Sequence, residues 1–157
     1  MLALNILSIA FGSIIGSFLN ALIYRIPVKK SIAEGRSKCP SCDKLIYWYE
    51  NLPLVSYLFL KGRCSKCGWK IPISYFLVEL AMAIFGYYKT PVDLTLDSLI
   101  QYGFNISVFA SLIIIFVIDL KHKIIPNKVN LFLGVVFFLS VVTTESYLHW
   151  LVGGAIG

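Results

Sequence analysis

The chain has 157 residues, of which 58% are hydrophobic and 14% charged, with 14 Lys+Arg against 8 Asp+Glu. This composition excludes intrinsic disorder, which needs low hydrophobicity and high net charge. It also argues against a single soluble domain, which would need more polar side chains to cover its surface; an integral membrane protein with four or five short-looped spans fits instead.

The first predicted element is residues 2–24, which carry no charge. At ~1.5 Å rise per residue a helix of this length crosses a ~30 Å hydrocarbon core. No basic region precedes it and no small-residue cleavage site follows; its positive charges begin afterwards, at Arg25. A retained span is therefore expected rather than a signal peptide. Gly12 and Gly16 put small residues four apart, the spacing that lets helices pack closely in lipid. Asn20 lies one turn further on and is expected to hydrogen-bond another helix.

Residues 25–70 form a loop with ten basic and three acidic residues, and all four cysteines fall in it. They read Cys39-Pro-Ser-Cys42 and Cys64-Ser-Lys-Cys67. Two C-x2-C turns can bring four thiolates onto one tetrahedral Zn²⁺, with neighbouring lysines helping to stabilise the thiolates. Disulfides, a redox pair and unpaired structural thiols are the alternatives. A reducing cytoplasm opposes the first, and the missing βαβ pattern opposes the second. Four Cys ligands leave no open position, so the metal expected is structural. Between the knuckles, residues 45–60 are rich in Trp, Tyr and Leu. This stretch is either a surface presenting a substrate segment at the membrane boundary or a small apolar core around the metal.

Residues 71–88 form the second apolar segment, with Glu79 its only charge. An ionisable residue inside a span usually faces the bundle interior or water. Candidate partners are Arg25, Asn20 or a substrate group; the alternative is a boundary carboxylate reaching water. Residues 99–118 are an uncharged third span, closed by Asp119. A carboxylate at a helix C-terminus opposes the helix dipole, which makes Asp119 a candidate acid–base group. The alternative is an interfacial Asp paired with Lys121, His122 or Lys123. Pro126 is expected to stop or kink the helix. Residues 129–144 form a fourth span, and residues 147–157 reach half-way across as part of a fifth.

Basic residues set the orientation. The alternating loops hold 10, 1, 3 and 0 Lys and Arg, so residues 25–70 and 119–128 are expected in the cytoplasm and the N-terminus outside. The local excess of positive charge in 25–70 is assigned to orientation and anionic lipid, not to nucleic acid.

Several stretches together resemble the type IV prepilin leader peptidases. They are Gly16-Ser-Phe-Leu-Asn20, Tyr24-Arg-Ile-Pro27, the Cys39–Cys42 knuckle, Glu50-Asn-Leu-Pro-Leu-Val-Ser-Tyr57, and Gly62-Arg-Cys64 with Cys67. Ile118-Asp-Leu-Lys-His-Lys-Ile-Ile-Pro-Asn127 resembles the stretch holding that family's first catalytic aspartate. The resemblance implies a polytopic aspartic endopeptidase that removes the leader from prepilins or pseudopilins at the cytoplasmic face of the inner membrane. It also implies, for many members, N-methylation of the new N-terminus with S-adenosylmethionine. On this chain it implies Asp119 as one catalytic aspartate and Cys39, Cys42, Cys64 and Cys67 as zinc-type ligands. Asn20, Arg25 and Glu79 are the candidates for substrate or cofactor binding. The family's second aspartate lies in a G-x-G-D type motif that these 157 residues do not contain.

The expected fold class is thus an all-α polytopic membrane protein of four spans and part of a fifth, with a small cytoplasmic zinc-knuckle domain. The expected divisions are residues 2–24, 25–70 and 71–157, the last holding the catalytic-aspartate loop 119–128. A second reading, from a different class, is a non-catalytic zinc-knuckle membrane protein that binds pilin-like helices or assembly components.

Overall fold

The computed structural model describes residues 1–29, 31, 37–124 and 126–143. Among these the fold is helical: α1 is Leu2–Arg25, α2 Val55–Phe59, α3 Ile73–Tyr88, α4 Leu96–His122 and α5 Asn127–Thr143. A single 3₁₀ turn spans Trp48–Asn51, and the only strand-like pairings among the described residues are two isolated bridges in the cysteine loop. Residues 147–157, expected as part of a fifth span, lie outside the described residues, as does His149.

The helix ends follow from local chemistry. α3 starts after Pro72, and it stops at Thr90, which precedes Pro91 and is thereby biased away from helix. Thr95 caps α4 by accepting a hydrogen bond from the Ser98 N–H at 3.4 Å, and Asp97 adds a favourable charge in the first turn. α4 ends on Lys123 in the left-handed conformation (φ 53°), whose N–H returns to the Asp119 carbonyl at 2.8 Å. The helix therefore closes before Pro126 rather than kinking at it. The Pro126 carbonyl then accepts from Val129 and Asn130, opening α5.

α1 and α4 are long and apolar enough to cross a membrane; α3 and α5 are apolar but shorter, at 16 and 17 residues. The α1–α3 interface is the most intimate. A Cβ on Gly12 would lie 2.3 Å from the Met82 carbonyl oxygen, one on Gly16 2.7 Å from the Glu79 Cα, and one on Gly86 2.5 Å from the Ser8 carbonyl oxygen. These three contacts show the helices running antiparallel with touching backbones, which only glycine permits. Leu19, Val78, Met82, Ile106, Ile114, Ile118 and Val129 form the buried core that joins α1, α3, α4 and α5. Phe85 and Phe109 stack at 4.0 Å between α3 and α4.

The contacts also define the two ends of the bundle. Tyr102 at the start of α4 donates to the Ser8 carbonyl at 3.4 Å. At the other end Lys121 donates to Ser74 Oγ at 3.1 Å, and Asn20 donates to the Tyr75 carbonyl at 2.9 Å. Asn20 thus makes an interhelical bond of the kind its position on α1 predicts.

Candidate functional site

The cysteine loop builds two near-identical knuckles. In the first, the Cys39 N–H donates to the Lys44 carbonyl and the Asp43 N–H to the Cys39 carbonyl, at 2.9 and 3.0 Å. In the second, Cys64 bonds Trp69 and Gly68 bonds Cys64 at 2.8 and 3.0 Å. Each turn needs a left-handed residue at the same place, supplied by Asp43 (φ 52°) and Gly68 (φ 70°). Bridges between Lys38 and Leu45 and between Arg63 and Lys70 close the two bases.

The four sulfurs lie within 4.8 Å of one another, with Cys39 and Cys67 3.8 Å apart. Bonds of ~2.3 Å to a tetrahedral ion require sulfur separations of ~3.8 Å, so the donor set fits a closed four-thiolate site. Backbone N–H groups of Cys67 and Lys66 hold the Cys64 thiol down to about 6. The backbone at Trp69 lowers Cys67. The backbone N–H of Lys44 pulls Cys42 in the same direction, but burial and the neighbouring sulfurs outweigh it and push that thiol up to about 11. Backbone donors, rather than the lysine ammonium groups expected from the sequence, are the leading influence on these thiols. The Lys44 ammonium is engaged elsewhere: it pairs with Glu50 at 2.6 Å and meets Ser65 Oγ, which also donates to Glu50. Lys44 and then Ser65 are the chief causes holding the Glu50 carboxyl down to about 2. Because Lys44 belongs to one knuckle and Ser65 to the other, this triad ties them together.

The loop then seats on the end of α3. The Ile71 N–H donates to the Gly62 carbonyl at 2.8 Å, Tyr57 Oη donates to the Ile71 carbonyl at 3.4 Å, and the Tyr57 ring meets Phe76 at 5.3 Å. Deepest of these contacts, the Leu54 N–H donates to Glu79 Oε2 at 2.8 Å. Leu54 sits at φ 59°, ψ −47°, with the Val55 N–H closing on the Pro53 carbonyl at 2.5 Å. That is a γ-turn of the strained hand, which costs on the order of 1–3 kcal/mol and needs surrounding structure to hold it. Glu79 Oε1 accepts from Asn20 Nδ2 at 3.4 Å, so one carboxylate joins α1, α3 and the loop.

Between the loop and the helix ends opens a cleft of about 850 Å³, lined by Ser17, Asn20, Arg25, Tyr75 and Glu79 from the helices and by Asp43, Lys44, Glu50 and Cys64 from the loop. Arg25 donates to the Ser31 carbonyl at 3.3 Å. The three residues singled out as binding candidates are therefore on one wall. Tyr75 and Leu54 belong with them and were not singled out. Tyr75 stands one helical turn from Glu79, a spacing that a search of the same helix face finds. Leu54 acts through its backbone, and its side-chain type gives no signal.

Asp119 is not in this cleft. It is exposed in the last turn of α4, and no described residue bonds its carboxylate. Lys121, a sequence-stretch neighbour that might have paired with it, reaches Ser74 instead and lies 6.0 Å over the Tyr75 ring. Through Tyr75 the Asp119 end of α4 and the cleft share one end of the bundle. Asp93 and Asp97 lie at the opposite end, where α4 begins.

A helical bundle with membrane-length spans and a Cys₄ knuckle pair seated on one end defines a recognisable class of membrane protein. Residues 10–90 match the family described as bacterial peptidase A24, N-terminal domain. The chain is 38% identical over 138 residues to the prepilin leader peptidase/N-methyltransferase of Vibrio cholerae, covering 82% of this chain and 53% of that protein. It is 32% identical to the Myxococcus xanthus protein of the same name, over 93% and 43% of the two chains. It is 33% identical to the Bacillus subtilis one, over 94% and 59%. No solved structure matches. The chain belongs to the prepilin leader peptidase family, and it spans about half the length of the curated relatives it matches.

Proposed function

We propose that this chain carries the N-terminal part of a prepilin leader peptidase, with Asp119 as one carboxylate of an aspartic dyad. Family membership carries this reading, supported by the position of Asp119 at the same bundle end as the cysteine domain. In such a dyad one carboxylate takes a proton from water while the other protonates the leaving amine. The exposure of Asp119 leaves room for a second carboxylate, which these 157 residues do not supply. The bundle crosses the inner membrane four times in this reading, with the N-terminus outside and the cysteine domain in the cytoplasm. Thirteen of fourteen basic residues support that orientation.

The cysteine centre holds structural Zn²⁺; its four thiolates complete a tetrahedron and leave no position for substrate. The cleft takes S-adenosylmethionine or the substrate N-terminus, Glu79 facing an ammonium group and Arg25 a carboxylate, while Asn20 positions Glu79. S-adenosylmethionine, when bound, supplies an electrophilic methyl group. The N-methyltransferase in the names of the relatives and a volume within the ~300–1,000 Å³ of small-molecule sites support this assignment. The partners are prepilins or pseudopilins and membrane lipid.

The test is leader cleavage of a prepilin in membranes. Asp119→Asn in the active, complete protein is expected to abolish cleavage while leaving expression and metal content intact; undiminished cleavage overturns the assignment. The second reading, a non-catalytic protein that binds pilin-like helices, is supported by the lone carboxylate at the end of α4. Purified 157-residue protein that binds a prepilin without cutting it would favour that reading.

A further inference from the structure

The contacts between the cysteine loop and α3 act as a depth ruler. Gly62 is level with Ile71, just before α3 begins; Tyr57 is level with Ile71 to Phe76; Leu54 is level with Glu79. Glu79 is six residues into α3, which at ~1.5 Å per residue is ~9 Å along the helix axis. Between its two knuckles, then, the loop turns back and runs down beside the first two turns of a helix that enters the bilayer.

Its chemistry matches that depth. Val55, Leu58 and Phe59 form the outer side and are 47%, 64% and 83% exposed, beside the exposed Ile73 and Leu77 of α3. The inner side carries the Tyr57 ring against Phe76 and the Leu54 N–H on Glu79. Backbone at hydrocarbon depth must find internal partners. The N–H groups of Leu54, Val55, Ser56, Leu58, Leu60 and Lys61 all have them, and Ser56 Oγ donates to the Leu52 carbonyl. Exposed Lys61 and Arg63 flank Gly62, level with the start of α3, where cationic heads meet lipid phosphates.

We propose that residues 52–60 are a re-entrant membrane element. Val55, Leu58 and Phe59 insert into the acyl region of the leaflet on the cysteine-domain side, and Lys61 and Arg63 rest on anionic headgroups. Glu79 is the internal acceptor that lets the strained turn at Leu54 sit at that depth. The inference rests on the reading that the bundle spans the membrane, so the experiment carries its own control.

The full chain is reconstituted into phosphatidylcholine–phosphatidylglycerol vesicles as Phe59→Trp and, separately, Leu112→Trp on the exposed face of α4. Tryptophan emission in excess of the parent is read with lipid nitroxides near the headgroup, with lipid nitroxides near the bilayer centre, and with aqueous acrylamide. Phe59→Trp is expected to lose emission roughly twofold or more to the headgroup-level nitroxide, to respond less to the central one, and to resist acrylamide. Leu112→Trp should respond to lipid nitroxide in every case. Acrylamide quenching of Phe59→Trp without lipid quenching, while Leu112→Trp is lipid-quenched, overturns the re-entrant element alone. Protection of Phe59→Trp from both quenchers means that protein covers the face, and also overturns it. Loss of lipid quenching at both positions overturns the spanning reading too. Leu58→Trp repeats the measurement should Phe59→Trp fail to retain the parent's helix content.

Discussion

The cysteine centre and the Asp119 end of α4 sit at the same end of the molecule and are built in opposite ways. At the first, every donor is present: four sulfurs at metal-binding separations, backbone N–H groups on the thiols, and a Lys44–Glu50–Ser65 triad joining the halves. At the second, one exposed carboxylate projects from a helix whose end is fixed by its own backbone cap. A structural centre must be complete to hold a fold, whereas a reactive carboxylate is useful only if left accessible.

The sharpest way to break the comparison is to disturb each side in turn. Cys64→Ser removes a thiolate from the centre, and structural zinc is worth about 10–16 kcal/mol to a small domain that folds around it. Residues 37–71 are expected to lose their order and the protein its metal, measured by metal analysis and hydrogen exchange. The glycine-packed α1–α3 pair keeps its protection. Asp119→Asn should leave both readouts unchanged. Equal loss of exchange protection in α1 and α3 after Cys64→Ser would mean that the two regions are one cooperative unit.

What the sequence reveals divides along the same line. The knuckles are legible because C-x2-C is local: five residues determine each turn, and only the pairing of the two is long-range. The close α1–α3 packing is legible from Gly12 and Gly16, because the absence of a side chain is itself the signal. Asn20 is legible as a bonded residue, although not its acceptor. The Glu79–Leu54 contact is not legible, since its donor is a main-chain N–H presented by a turn that any residue after Pro53 might have declined to adopt. Nor is the occupation of Lys44 by Glu50, because proximity of six residues in a loop does not fix which lysine a carboxylate selects. The match of residues 10–90 to a peptidase family adds what neither spacing nor burial supplies, a reason to read Asp119 as chemistry.

A smaller effect tests whether the bundle holds the cleft in place. Gly12→Ala puts a methyl group 2.3 Å from a backbone oxygen that cannot rotate away. Overpacking of this kind costs about 1–3 kcal/mol. Gly103→Ala on α4, whose added carbon meets nothing within 4 Å, is the control and should be neutral or slightly stabilising. The checks are thermal melting in detergent and hydrogen exchange at the Leu54 amide. Exchange at Leu54 should rise for Gly12→Ala because displacing α3 moves Glu79. Unchanged melting for Gly12→Ala would mean that α1 and α3 are less tightly joined than the glycine contacts require.

The smallest effect compares the two knuckles with each other. They share one hydrogen-bond pattern, yet the left-handed position is Asp43 in the first and Gly68 in the second. An L-residue there carries a penalty of roughly 1–2 kcal/mol, which Asp softens by bonding locally. Gly68→Ala should therefore weaken the second knuckle by about 1 kcal/mol, while Asp43→Gly should leave the first unchanged or firmer by a few tenths. The readout is the rate at which a chelator removes metal, several-fold faster for Gly68→Ala and no faster for Asp43→Gly. Faster loss from Asp43→Gly would assign the Asp43 carboxylate, which lines the cleft, a part in holding the loop that its backbone conformation does not explain.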